Sequence, residues 1–222
     1  TILAAPDGGS ATAFGTAVDT NATGSRIVVG APNYDSSDVT PVVDKGAAWI
    51  YDYDNVAGEW ALSARLTADG GLPDDEATSE GKAGDHFGAS VSMYGSYVAV
   101  GAPDYDGNST EQGKAYVFYY HYLSCGGACD ADIWTRSHNL SSSSPAENEY
   151  FGAALVLGDK LLVVGVPGYN DTDVNNNIIR ESIGNIRTYT TTGSIARNDF
   201  SNTSTGLYRA EVLSGGVNFG RK

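Results

Sequence analysis

Phe-Gly pairs recur along this chain at Phe14-Gly15, Phe87-Gly88, Phe151-Gly152 and Phe219-Gly220, about 70 residues apart. The residues that follow recur with them. A short apolar run leads in each of the first three copies to Ile27-Val28-Val29-Gly30-Ala31-Pro32, Val98-Ala99-Val100-Gly101-Ala102-Pro103 and Leu162-Val163-Val164-Gly165-Val166-Pro167. Tyr34, Tyr105 and Tyr169 each stand two places after that proline. A third apolar run starts after Gly46, Gly113 or Gly184, and a fourth is marked by Trp60, Trp134 or Tyr208. A unit of a few short strands cannot cover both of its own faces, so a chain built this way must stack its copies.

The spacing predicts an all-β protein whose units are β-propeller blades of four antiparallel strands. The inner two strands keep nearly constant spacing, while the lengths beyond the third-strand glycine vary. Blades packed around an axis have this property, because their inner strands are crowded and their outer loops face water. The expected boundaries are residues 1–13 as the end of a preceding blade, 14–86, 87–150 and 151–218 as three blades, and 219–222 as the start of a further one. Three blades are fewer than closure requires. Further blades, from the same parent chain or from adjoining subunits, are therefore expected to cover Phe14 and the region of Phe219. Within the motif, the Phe is expected to plug the seam between blades. The Gly lets backbones approach, and the Pro stops the second strand because it cannot donate into a ladder.

The apolar content of 41% suffices for a packed core, yet no apolar run is long enough to span a membrane as a helix. The net charge of −14, from 27 acidic and 13 basic residues, argues against nucleic acid and against insertion into or binding to an anionic membrane. It favours cationic partners. Assigning loops from the repeat puts most of the acids, among them Asp35, Asp44, Asp85, Asp104, Asp106 and Glu111, at one end of the blades. That end holds the loop between strands two and three and the connection to the next blade.

The ordered Phe-Gly and Gly-Ala-Pro copies resemble the FG-GAP repeats of the integrin α-chain propeller, and more closely those of bacterial and algal surface proteins. The resemblance covers essentially the whole chain. It implies a propeller, usually of seven blades, with a role in adhesion or assembly outside the cell; calcium is the one cofactor it raises, although the loops at residues 93–97 and 157–161 are too short and too poor in oxygen ligands for such a site. Calcium-binding copies carry an Asp/Asn-rich loop between the first two strands. Only Asp19-Thr20-Asn21-Ala22-Thr23-Gly24-Ser25 approaches that pattern, which makes Asp19 a candidate ligand. A second candidate set is Asp104, Asp106, Asn108 and Glu111, in a loop rich in turn residues.

Five Asn-x-Ser/Thr triplets, at Asn21, Asn108, Asn139, Asn170 and Asn202, are candidate glycosylation sites. Cys125 and Cys129 are the only cysteines, too few for a zinc finger and without redox spacing, so they are expected to pair in a local disulfide. Both features favour a secreted or cell-surface glycoprotein. The three histidines are scattered, and no Gly-x-Ser-x-Gly elbow is present. We therefore expect no catalytic role. The leading expectation is a non-catalytic extracellular segment for adhesion, matrix assembly or binding of protein or glycan ligands. A structural protomer of a glycoprotein filament or surface appendage is the alternative, and a polysaccharide-acting enzyme is the remaining rival.

Overall fold

The structure is a computed structural model that describes residues 2–6, 11–36, 41–70, 81–123, 131–172, 175 and 177–190. Cys125, Cys129, Asn202, Tyr208 and Phe219 lie outside the described residues, so the disulfide and the last sequon are not placed. Every described element is a strand.

The first sheet is β1 (Val18–Thr20), β2 (Arg26–Ala31), β3 (Ala47–Asp54) and β4 (Glu59–Leu66), hydrogen-bonded in that order. The second repeats it with β5 (Ser90–Tyr94), β6 (Tyr97–Ala102), β7 (Lys114–Leu123) and β8 (Ala131–Leu140). The third pairs β9 (Ala154–Leu157), β10 (Leu161–Val166) and β13 (Asn185–Thr190). All pairings are antiparallel, as consecutive blade strands require. One feature departs from expectation. The long loop before Gly184 carries its own small ribbon, β11 (Asp171–Thr172) with β12 (Ile178–Arg180).

Each second strand ends one residue before its proline, at Ala31, Ala102 and Val166. Strand and loop are thus separated at the residue that cannot donate a hydrogen bond. The first and third strands pair with both edges of the second, so its side chains can be covered only from the faces of the sheet, and the core residues belong to seams between sheets. The seam between the first two blades gathers Val28, Ala48, Ile50 and Leu66 of the first against Phe87, Val91, Val98, Val100, Tyr116 and Phe118 of the second. The next seam packs Tyr97, Ala99, Ala115 and Val117 against Phe151, Leu155, Leu162 and Val164.

Phe87 and Phe151 are fully buried in these seams, as the motif predicts. Phe87 meets Tyr116 at a tilt, ring centroids 5.3 Å apart, and Phe118 edge-on at 6.0 Å. The Phe-Gly pair also touches the preceding unit through its backbone. Phe87 bridges Gly46 and Phe151 bridges Gly113, both in parallel sense. The Gly-Ala-Pro glycine of one blade lies against the Phe-Gly glycine of the next, Gly30 on Gly88 and Gly101 on Gly152, with no room for a Cβ. The two halves of the motif therefore act across the seam.

The first blade's outward face, where a further blade or subunit is expected over Phe14, is partly covered by the chain itself. Val29, Ala31, Tyr34, Ala47, Trp49 and Tyr51 form a buried cluster there, with Leu3 and a half-buried Phe14 packed on it. Phe14 approaches Trp49 at 5.8 Å, and the Tyr51 hydroxyl donates to the Ala4 carbonyl at 3.2 Å. This face is thus largely buried, whereas the third sheet leaves Val156, Leu161 and Ile186 exposed.

Candidate functional site at the acidic loop end

The loops between second and third strands lie at the same end of the molecule as the connections between blades, and backbone hydrogen bonds join the two. Gly84 N–H donates to Val43 O, His86 N–H to Asp44 O and Phe87 N–H to Lys45 O. One blade later, Asn148, Tyr150 and Phe151 donate to Thr110, Glu111 and Gln112 in the same register. The repeat fixes the backbone conformation as well. Ala13, His86 and Tyr150, each immediately before the Phe, have φ of 54°, 52° and 55°. Asp44, Glu111 and Ser182, each two places before the third-strand glycine, have φ of 52°, 49° and 46°. Left-handed backbone at residues other than glycine costs on the order of 1–2 kcal/mol each, so three copies in register mark conformations that the junction imposes.

These junctions set the acids in place. The Asp35 carboxylate accepts from Asp44 N–H at 2.8 Å, and Asp106 accepts from Glu111 N–H at 2.7 Å. The Glu111 carboxylate accepts from the Tyr150 hydroxyl at 2.5 Å, which raises the phenol's pKa. His86 Nδ1 lies 2.7 Å from Asp104 Oδ2, both partly exposed. Lys82 donates to the Asp106 carbonyl at 2.7 Å and lies 5.5 Å from the Tyr105 ring, which Lys114 approaches at 4.6 Å. In all three repeats, in fact, the Tyr after the proline carries a cation: Arg65 on Tyr34, Lys114 on Tyr105 and Arg187 on Tyr169.

Beneath this rim two acids are buried two places before the Phe, Asp85 and Glu149, each only 1% exposed. Asp85 accepts from Lys82 N–H at 2.7 Å, three residues back. Burial raises its pKa to about 6, against the opposing backbone hydrogen bonds from Lys82 and Asp106. Glu149 is raised for the same reason, offset in part by Ser142, the Ala146 N–H and Arg187. Lys45, buried beside the same connection, forms an ion pair of 2.5 Å with the buried Asp69. Loop assignment from the repeat puts acids at this end but does not separate Asp85 and Glu149, which point inward, from their exposed neighbours. Their neighbours in the sequence, Gly84, His86, Asn148 and Tyr150, are no more apolar than those of the exposed acids, so sequence alone gives no sign that these two turn inward.

The candidate metal ligands are held by other partners. Asp104 faces His86, Asp106 caps Glu111 N–H, Glu111 faces Tyr150, and Asn108 is exposed with its N–H directed to Gln112. Asp19 Oδ2 accepts from Met93 N–H at 2.7 Å and from the Ser92 hydroxyl at 3.1 Å, while Oδ1 accepts from Thr20 N–H. Ser92 in turn accepts from Leu157 N–H at 3.0 Å. Asp19 therefore links the first strands of three blades. Among the described residues no three His, Cys, Asp or Glu side chains gather at metal-binding spacing.

Of the described sequons, Asn108 and Asn139 are exposed. Asn21 accepts from Ser25 and Arg26 N–H and donates to the Ser25 hydroxyl, closing the β1–β2 turn. Asn170 accepts from Ser182 N–H at 2.7 Å.

No curated protein matches the chain. The family model described as FG-GAP repeat matches residues 77–118, which run from the connection after the first blade through β5, β6 and the first half of β7. That span holds Phe87-Gly88 and Gly101-Ala102-Pro103, whose glycines meet their counterparts across the two seams. Residues 77–118 are thus an FG-GAP repeat, which supplies three strands of the second antiparallel blade, and its sequence pattern recurs on either side.

Proposed function

We propose that this chain is a non-catalytic, extracellular propeller segment that binds cationic ligands or basic protein surfaces through the acidic loop end, in adhesion or matrix assembly. The observation that carries the reading is the junction between blades. Its hydrogen bonds hold Asp35, Asp44, Asp106 and Glu111 at one end while their side chains keep contact with water. A net charge of −14 draws cationic partners toward that end, with association that weakens as salt rises. The sequons and the Cys125/Cys129 pair support placement outside the cell.

Binding of poly-L-lysine to the immobilised chain at low and high salt is the test. Binding should fall steeply with salt and weaken when Asp35, Asp44 and Asp106 are changed together to Asn. Salt-indifferent binding, or a triple variant that binds as well as the parent, would refute the reading. The filament alternative draws on a different observation, the exposed Val156, Leu161 and Ile186 of the third sheet, an apolar face of the kind that a neighbouring blade or subunit covers. Sedimentation at rising concentration distinguishes it, since a monomer at all concentrations contradicts polymerisation.

A further inference from the structure

Two cross-strand ring pairs occupy one position in the first two blades. Tyr53 stands opposite Trp60 on β3 and β4, ring centroids 5.3 Å apart, and Tyr120 stands opposite Trp134 on β7 and β8, also at 5.3 Å. Their backbones are anchored alike. Tyr53 N–H donates to Ser25 O and Tyr120 N–H to Ser96 O, both at 2.8 Å. Each pair lies toward the turn between the first and second strands of its blade, away from the acidic loops.

The second pair is occupied. Arg26, reaching across the seam from β2 of the first blade, places its guanidinium 4.0 Å from the Tyr120 centroid and 5.4 Å from that of Trp134. Asp52 holds the guanidinium with two parallel bonds, Nε to Oδ1 at 2.5 Å and Nη2 to Oδ2 at 2.9 Å. Among the described residues no cation is stacked on the first pair, and Trp60 is partly buried against the cluster of the blade's outward face. Tyr53 is 38% exposed, and Leu62, two residues beyond Trp60 on β4, is 50% exposed.

We propose that Tyr53 and Trp60 form a receptor for an arginine side chain presented by the blade or subunit that packs on this outward face, in the manner that Arg26 of one blade shows on Tyr120 and Trp134 of the next. Arginine is the fitting occupant because a planar guanidinium spreads over two rings and still leaves its edge for a carboxylate, which an ammonium does less well. The site is separate from the acidic loop end and stands or falls independently of what that end binds.

The test is a titration of the full chain, with its tryptophans labelled with nitrogen-15, by N-acetyl-L-arginine amide. The neutral N-acetyl-L-citrulline amide, of nearly the same shape, is the control. The Trp60 indole resonance should shift saturably with the arginine probe and at least tenfold more weakly with citrulline, and Tyr53→Ala should abolish the response. The Trp134 indole should stay still in the parent chain, where Arg26 fills the pair, and should respond in Arg26→Ala. A Trp60 resonance that does not move, moves equally with citrulline, or moves unchanged in Tyr53→Ala overturns the proposal. The first two of these readouts use the unmodified chain, so the result does not depend on any variant folding.

Discussion

Gly15 and Gly88 hold the same motif position with nearly the same backbone, φ of 92° and 96°, yet their surroundings differ. A Cβ on Gly15 would meet nothing within 4 Å, whereas one on Gly88 would overlap the Ala47 carbonyl and crowd the Ala31 nitrogen across the seam. Replacement by alanine therefore separates two costs that the motif normally combines. At Gly15 only the left-handed backbone is strained, about 1–2 kcal/mol. At Gly88 the same strain is joined by an overpacked seam, about 1–3 kcal/mol more, because the obstructing atoms are backbone and cannot rotate aside. Gly88→Ala should thus lose about 2–5 kcal/mol in urea-induced unfolding, clearly more than Gly15→Ala. Gly152→Ala, whose Cβ would strike the Lys114 carbonyl, should behave as Gly88→Ala does. Equal losses at Gly15 and Gly88 would show that the motif glycine serves local backbone conformation alone, and that the close approach of Gly88 to Ala47 and Ala31 adds nothing to stability.

Asp85 has a folded-state pKa near 6 against about 3.8 when unfolded, so its contribution to stability is present below pH 4 and is lost as pH rises through 6, by on the order of 2–3 kcal/mol. The pH-dependence of unfolding should therefore flatten over that window in Asp85→Asn, and an unchanged difference between variant and parent from pH 4 to 7 would contradict the burial. Asp19→Ala leaves the buried Met93 N–H without its acceptor and should cost about 1–3 kcal/mol, more than Asp54→Ala on an exposed turn, as measured by thermal unfolding. In material from a glycosylating host, intact mass and peptide mapping should find a glycan on the exposed Asn108 and none on Asn21, whose amide donates to Ser25. The reverse occupancy would show that the β1–β2 turn is not held by Asn21 during synthesis.

Strand order, the division into successive sheets and the buried place of Phe87 and Phe151 were legible in the sequence. A repeated motif states the same local preferences several times, and glycine and proline mark the strand ends chemically. The one-end placement of Asp35, Asp44, Asp104, Asp106 and Glu111 was legible too, because in an antiparallel blade alternate loops share an end. Partners across a seam were not. That Gly30 faces Gly88, that Asp19 reaches Met93 and Ser92, and that Arg26 leaves its own blade for Tyr120 and Trp134 depend on how neighbouring sheets are placed against one another. Asp19 was a candidate metal ligand by resemblance to calcium-binding copies of the repeat, and the Asp104 to Glu111 loop by its run of oxygen-bearing side chains. A carboxylate's role is set by which N–H, hydroxyl or cation lies within hydrogen-bonding reach of it, and those groups come from residues as far as 74 positions away in the chain. The sequence by itself determined the repeating blade, since local propensity suffices to make strands and stop them; only the tertiary structure decided which acids turn inward, which link blades and which remain in water, since each of these depends on distances between segments that the order of residues does not contain.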